Sequence, residues 1–225
     1  MQRSHSAPRP AGAANPWLPR EVDDAADAET GRRPILAAAV GPTAPQRGVP
    51  APDQVDQLPV CRRDQRTLGL WVVGAHGGAG ESTIAALVPA WSAADHAWHP
   101  GTTDAPARSL VVARTHARGL MAAKAAGKQW ASGLVPDVEL LGLVLVADAP
   151  GRLPKPLRDL GRLISGGYPR TWFVSWAEAW RLGAPPDPAT SSRDVRSLVN
   201  DISLLTTTGA TRRATTRKDH DDGTA

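Results

Sequence analysis

Four short apolar runs mark the middle of the chain. Each is followed by a segment whose apolar residues recur at helical spacing. "TLGLWVV" (67–73) is almost continuously apolar and ends at Gly74, the pattern of a strand buried on both faces. "STIAALVPAWSAA" (82–94) predicts a helix with Ser82 near its start, kinked or ended in its first part by Pro89. "SLVVAR" (109–114) is the second strand, and "ARGLMAAKAAGKQWA" (117–131) is an alanine-rich helix. "VELLGLVLVA" (138–147) is a long third strand, and "PKPLRDLGRLIS" (154–165) is a helix with proline at its beginning. "RTWFVSW" (170–176) is a fourth strand, and "SSRDVRSLVNDISLL" (191–205) is a last helix with Ser or Asp ahead of it as cap.

Strands alternating with helices predict an α/β fold: an open, mainly parallel sheet with helices on both faces. Such sheets bind ligands beyond the carboxyl ends of their strands. That rule brings "AHGGAGES", "RTHARG", "DAPGR" and "SWAEAW" to one edge.

The pattern fades on either side. Residues 1–60 hold ten of the 21 prolines and a single aromatic, Trp17. They bury too little apolar surface to offset the entropy of ordering, so a disordered arm is expected there. Within it "PILAAAVGPTAPQRGVPAP" has two courses open: a solvated linker, or a polyproline path laid across the domain or offered to a partner. Residues 61–205 form the expected domain, and the threonine-rich residues 206–225 an expected disordered tail.

Composition narrows the function classes. The formal charge of +4 comes from 22 Arg and 4 Lys among 225 residues, scattered and without a long basic block, which is weak support for nucleic acid. One cysteine, Cys61, excludes an internal disulfide framework. No run approaches 18 apolar residues, so no membrane span is expected, and the N-terminus lacks the order of a secretory signal. A cytoplasmic protein with an unidentified protein partner is the resulting expectation.

The most informative stretch is "WVVGAHGGAGESTIA" (71–85). A strand feeds a glycine cluster that feeds a helix, the layout in which backbone N–H groups and a helix N-terminus cradle phosphate. Gly74, His76, Gly77, Gly78, Ala79, Gly80 and Glu81 form the candidate turn, with Ser82 and Thr83 beyond it. Ser82 is the candidate Mg²⁺ ligand, and ATP with Mg²⁺ the candidate cofactor. "HGGAGEST" (76–83) resembles the deviant phosphate loop "KGGxGKT[ST]" of the ParA/MinD class of P-loop ATPases, and "VELLGLVLVADAPG" and "YPRTWFVSW" resemble late strands of that class. The whole is similar to an actinobacterial family of degenerate P-loop proteins associated with plasmids or integrative elements.

The departures carry as much information. His76 stands where the class has its first lysine, and Glu81 where it has the phosphate-gripping lysine. Two unit charges about 4 Å apart interact by roughly 4 kcal/mol at an effective dielectric near 20. Replacing an attraction by a repulsion of that order predicts a turn that does not grip a triphosphate, with Glu81 itself answering the turn's donors. Residues 93–108, "AADHAWHPGTTDAPAR", read as too short and polar to supply the class's next strand and its aspartates. Asp148 imitates a strand-then-aspartate pattern, and Arg114, with His116 and Arg118, offers substitute cations at the ligand edge.

Other clusters read more plainly. His96 and His99 flank Trp98 in what reads as a surface loop, without enough neighbours for a metal site. Trp176 and Trp180 share a helical face, as core anchors or as a stacking surface. The resemblance and its missing lysines together imply a non-catalytic binding or regulatory module in plasmid or mobile-element maintenance or transfer. Two rivals stay open: an ATP hydrolase with an atypical Mg²⁺ site, and an adaptor working through its proline-rich arm.

Overall fold

The computed structural model describes residues 41–61 and 69–221, with side chains as far as residue 207. The expectations for residues 1–40 and 222–225, and for the start of the first strand at 67–68, fall outside them.

Five parallel strands form one sheet: β1 (Leu70–Gly74), β2 (Trp91–Ala93), β3 (Ala107–Arg114), β4 (Val138–Val146) and β5 (Thr171–Val174), in the order β2-β1-β3-β4-β5. Every residue of β1 is buried, as its uninterrupted apolar run requires. Helices α1 (Glu81–Ala85), α2 (Ala117–Ala131), α3 (Lys155–Ser165), α4 (Glu178–Arg181) and α5 (Arg193–Asp221) complete the order. On one face α2 and α3 cover Val111, Leu143 and Leu145 through Leu120, Trp130 and Ile164. On the other, α1 and α5 cover Val72, Leu110 and Val144 through Ile84, Leu198 and Ile202. The open parallel sheet with helices on both faces is therefore the architecture of this chain.

The segment expected as one helix over 82–94 divides in two. Helix α1 ends at Ala85, and the chain turns through Pro89 into β2 at Trp91. Pro89 lacks an N–H and blocks a continuous helix, and Trp91 pairs beside Leu70. The strand that residues 93–108 seemed too polar to supply is thus drawn mainly from residues before them. His99 is not on the surface: it is buried and stacked on Trp71, with Trp98 fully buried beside them.

Residues 41–61 lie against the α2 face. Val49 and Leu58 pack on its core. The Gln46 N–H donates to the Ala131 carbonyl, and Pro59 and Cys61 exchange backbone hydrogen bonds with Trp98. A short 3-10 turn, Gln54–Asp56, sits beside α2. Gln129 fastens this path: its Oε1 accepts from Leu58 N at 2.9 Å and from Trp98 Nε1 at 3.1 Å, and its Nε2 donates to Leu58 O at 2.9 Å. At the other end α5 runs on to Asp221, and Leu205 is its last residue packed on the core among those with described side chains.

Candidate functional site

Chain order sets where a site can form. From β1 the chain moves outward to β2, then returns past β1 to β3. The β1/β3 junction is the point where the winding reverses, and crevices at such switch points are the usual ligand positions of open parallel sheets. The glycine turn after β1 and the segment Arg114–Arg118 after β3 meet there. Asp148 follows β4 on the same edge, and Ser175 follows β5.

The turn has the backbone its glycines permit. Gly78 and Gly80 have φ of 76° and 98°, a region that side chains rarely enter. A Cβ on Gly77 or Gly78 would meet nothing, so this part of the turn faces open space. Ala79 N–H closes the turn on the His76 carbonyl at 3.1 Å. Ser82 is exposed and Thr83 half-buried in the first turn of α1.

Glu81 does not answer the turn's donors. It is 6% exposed and points toward the segment after β2. Oε1 accepts from Ala94 N at 2.8 Å and His96 N at 3.3 Å, while Oε2 lies 3.0 Å from His96 Nδ1. His96 Nδ1 also lies 3.1 Å from the Gly74 carbonyl oxygen, so Nδ1 carries the hydrogen. Asp95 and His96 both have positive φ, 55° and 56°, and the Glu81 carboxylate holds that bend by taking N–H groups on either side of Asp95. Gly74 serves the same packing: a Cβ there would lie 2.5 Å from His96 Nδ1 and 2.8 Å from Glu81 Oε2. The reason for the difference from expectation is burial, because a buried carboxylate needs fixed donors and two backbone N–H groups supply them.

His76 is likewise engaged. Its Nε2 accepts from Arg114 N at 3.1 Å, and its Nδ1 lies 2.9 Å from the Gly77 carbonyl oxygen, which makes Nδ1 the protonated nitrogen of a neutral ring. Burial depresses its pKa below 6.5, the Gly77 bond opposes this, and the electrostatic influence of nearby His116, His96 and Arg114 depresses it further. His116 packs edge-on at 5.1 Å and caps α2, its Nδ1 accepting from Gly119 N at 3.0 Å. Arg114 turns its guanidinium to two carbonyl oxygens: Nη1 donates to Ala147 at 2.7 Å and Nε to Gly78 at 3.4 Å. Asp148 is exposed, and its N–H donates to Thr115 Oγ1 at 3.1 Å.

The charges present do not fit a bound triphosphate with Mg²⁺. The lysine position holds a carboxylate committed to the β2 side, and two donors of the nearest arginine are committed to carbonyls. The structure instead opens a groove of about 680 Å³ from the glycine turn along α2, with Ala75, His76 and Gly77 at one end and residues 52–58 as the far wall. The arm's part in it, His116 as a cap and Gln129 as a clasp were not visible as site features in the sequence. The signal closest to hand was Gln129, an amide within an otherwise apolar helical stripe.

Among the described residues no helix is long and apolar enough to cross a membrane. No curated protein and no solved structure matches the chain. Residues 68–199, which span the sheet and the start of α5, match the model of a family of unknown function, DUF6668, and the chain belongs to that family.

Proposed function

We propose that this protein is a non-catalytic binding or regulatory module built on a degenerate, ParA/MinD-like P-loop turn. The observation that carries this reading is the orientation of Glu81. At the position of the phosphate-gripping lysine it is buried and hydrogen-bonded to Ala94 and His96, where it braces the segment after β2. A phosphate grip has become a structural brace. Arg114, the nearest substitute cation, ties the turn to the end of β4 through Gly78 and Ala147. Phosphoryl transfer depends on positioned cations around the transferred group, and here the lysine position holds a carboxylate while Arg114 serves the scaffold.

What the edge offers is a preformed crevice at a switch point, walled by the docked arm and α2. The arm thus enters this reading as part of the binding surface. We infer a role in plasmid or mobile-element maintenance or transfer from the resemblance of the whole to an actinobacterial family of degenerate P-loop proteins associated with such elements. The test is a steady-state assay of ATP and GTP hydrolysis with Mg²⁺, run beside calorimetric titration of both nucleotides. No turnover and no tight binding are expected. Mg²⁺-dependent turnover abolished by Ser82→Ala would replace this reading with that of a hydrolase.

A further inference from the structure

The groove along α2 has an unusual arrangement of charge. Its helical wall carries Arg118, Lys124 and Lys128. None of the three forms an ion pair among the described residues. They are strung over ten residues, about 15 Å at 1.5 Å per residue, so they do not converge on one point. Met121 lies between them, 49% exposed, and Val55, 90% exposed on the arm, lines the same groove. Asp53 and Asp56 stand on the arm's side.

Each feature selects among ligands. A single phosphate or a compact polyanion calls for converging cations, and these are spread. A nucleic-acid strand is charged along its whole length and would bring phosphates against Asp53 and Asp56 as well, which is costly in a partly desolvated groove, whereas a peptide can confine its carboxylates to the α2 side and turn neutral side chains to the arm. Carboxylates spaced along an extended peptide match the cations: alternate side chains of a strand lie about 6.8 Å apart on one face. The side chains between them point to the opposite face, toward the arm, where apolar ones would cover Val55, while the apolar stems of the acidic ones would lie over Met121.

We propose that the groove between residues 52–58 and α2 docks an extended acidic peptide of a partner protein, with acidic side chains paired to Arg118, Lys124 and Lys128, their stems over Met121, and alternate apolar side chains turned to Val55. The proposal rests on the binding-module reading for its biology and on the groove alone for its geometry.

The test is fluorescence anisotropy with a labelled eight-residue peptide alternating glutamate and leucine, titrated with the full chain. Saturable binding is expected, weakened by added salt. The double variant Lys124→Glu/Lys128→Glu should bind about tenfold more weakly, roughly 1.4 kcal/mol. Both residues are charged positions on the outer side of α2, and circular dichroism checks that the variant is folded. Met121→Ala should weaken binding without altering its salt dependence. Three results would overturn the proposal: no saturable binding by the native chain, equal binding by the charge-reversed variant, or tighter binding of a single-stranded oligonucleotide than of the peptide. A chain that hydrolyses ATP yet binds the peptide would defeat the module reading alone. An inactive chain that ignores the peptide would defeat the groove alone.

Discussion

The Glu81 carboxylate lies 3.0 Å from His96 Nδ1, and together they occupy the space that a side chain on Gly74 would need. Three residues of the apparent phosphate loop and its surroundings are thereby accounted for by packing. The relationship also changes what a substitution at residue 81 should do.

Glu81→Ala leaves the N–H groups of Ala94 and His96 without their acceptor. Each such group costs about 1–3 kcal/mol where water does not reach it. Because His96 is partly exposed, a total loss of about 2–3 kcal/mol is expected in urea unfolding. Glu81→Lys should be at least as destabilising, since an ammonium would face two donors. It should not create ATP binding. A tenfold gain in ATP affinity in calorimetry would instead mean that the lysine swings into the turn and that charge alone had blocked it.

His76 should make stability depend on pH near neutrality. Its folded pKa is depressed below 6.5, chiefly by burial. Between those two values the unfolded chain binds more protons than the folded one, so stability is full above about 6.5 and falls as pH drops toward the folded value. His76→Gln keeps an acceptor for Arg114 N but does not titrate. The stability difference between pH 7.5 and 5.5 should be smaller in that variant, and an identical difference would remove His76 from the account. Asp194 acts in a separate window. Burial pushes its carboxyl up, but hydrogen bonds from Ser192, Ser175 and Val195 outweigh this and hold it below 3.8. Its contribution is present above that value and lost only as pH falls through the lower folded one.

Gly119→Ala should destabilise the protein although alanine is the better helix former by about 1 kcal/mol. The added Cβ would lie 2.4 Å from the Arg114 carbonyl oxygen and 2.8 Å from His76 Nε2. Overpacking of this kind costs about 1–3 kcal/mol. Unfolding by urea measures the net loss, and the His76 ring resonances should shift. A neutral or stabilising effect would show that α2 starts farther from the crevice.

Gln129→Leu should loosen the arm. The buried Trp98 indole N–H and both backbone groups of Leu58 would lose their partner. A cost of about 2–4 kcal/mol is expected from several unmet groups. Limited proteolysis with mass measurement should show new cleavage within residues 41–61. An unchanged digest would mean that Val49 and Leu58 packing holds the arm unaided.

The alternation of apolar runs with helical segments was sufficient to determine the parallel sheet, because strands buried on both faces must be continuously apolar whatever covers them. β3, α2, β4, α3 and β5 lie within a few residues of where their patterns place them. The glycine turn was legible for the same local reason: positive φ at Gly78 and Gly80 is a property of the residues themselves. β2 was not legible, because three residues carry too little pattern and their strand character comes from pairing with β1. Nor could the sequence show which way Glu81 points, since its acceptor role depends on Ala94 and His96 arriving beneath the turn from a later segment. The arm is the clearest case. Its composition favours solvation, but Gln129, Trp98 and the α2 surface meet it only once the sheet has brought β2's end and α2 together, and contacts between distant segments exist only in the folded chain.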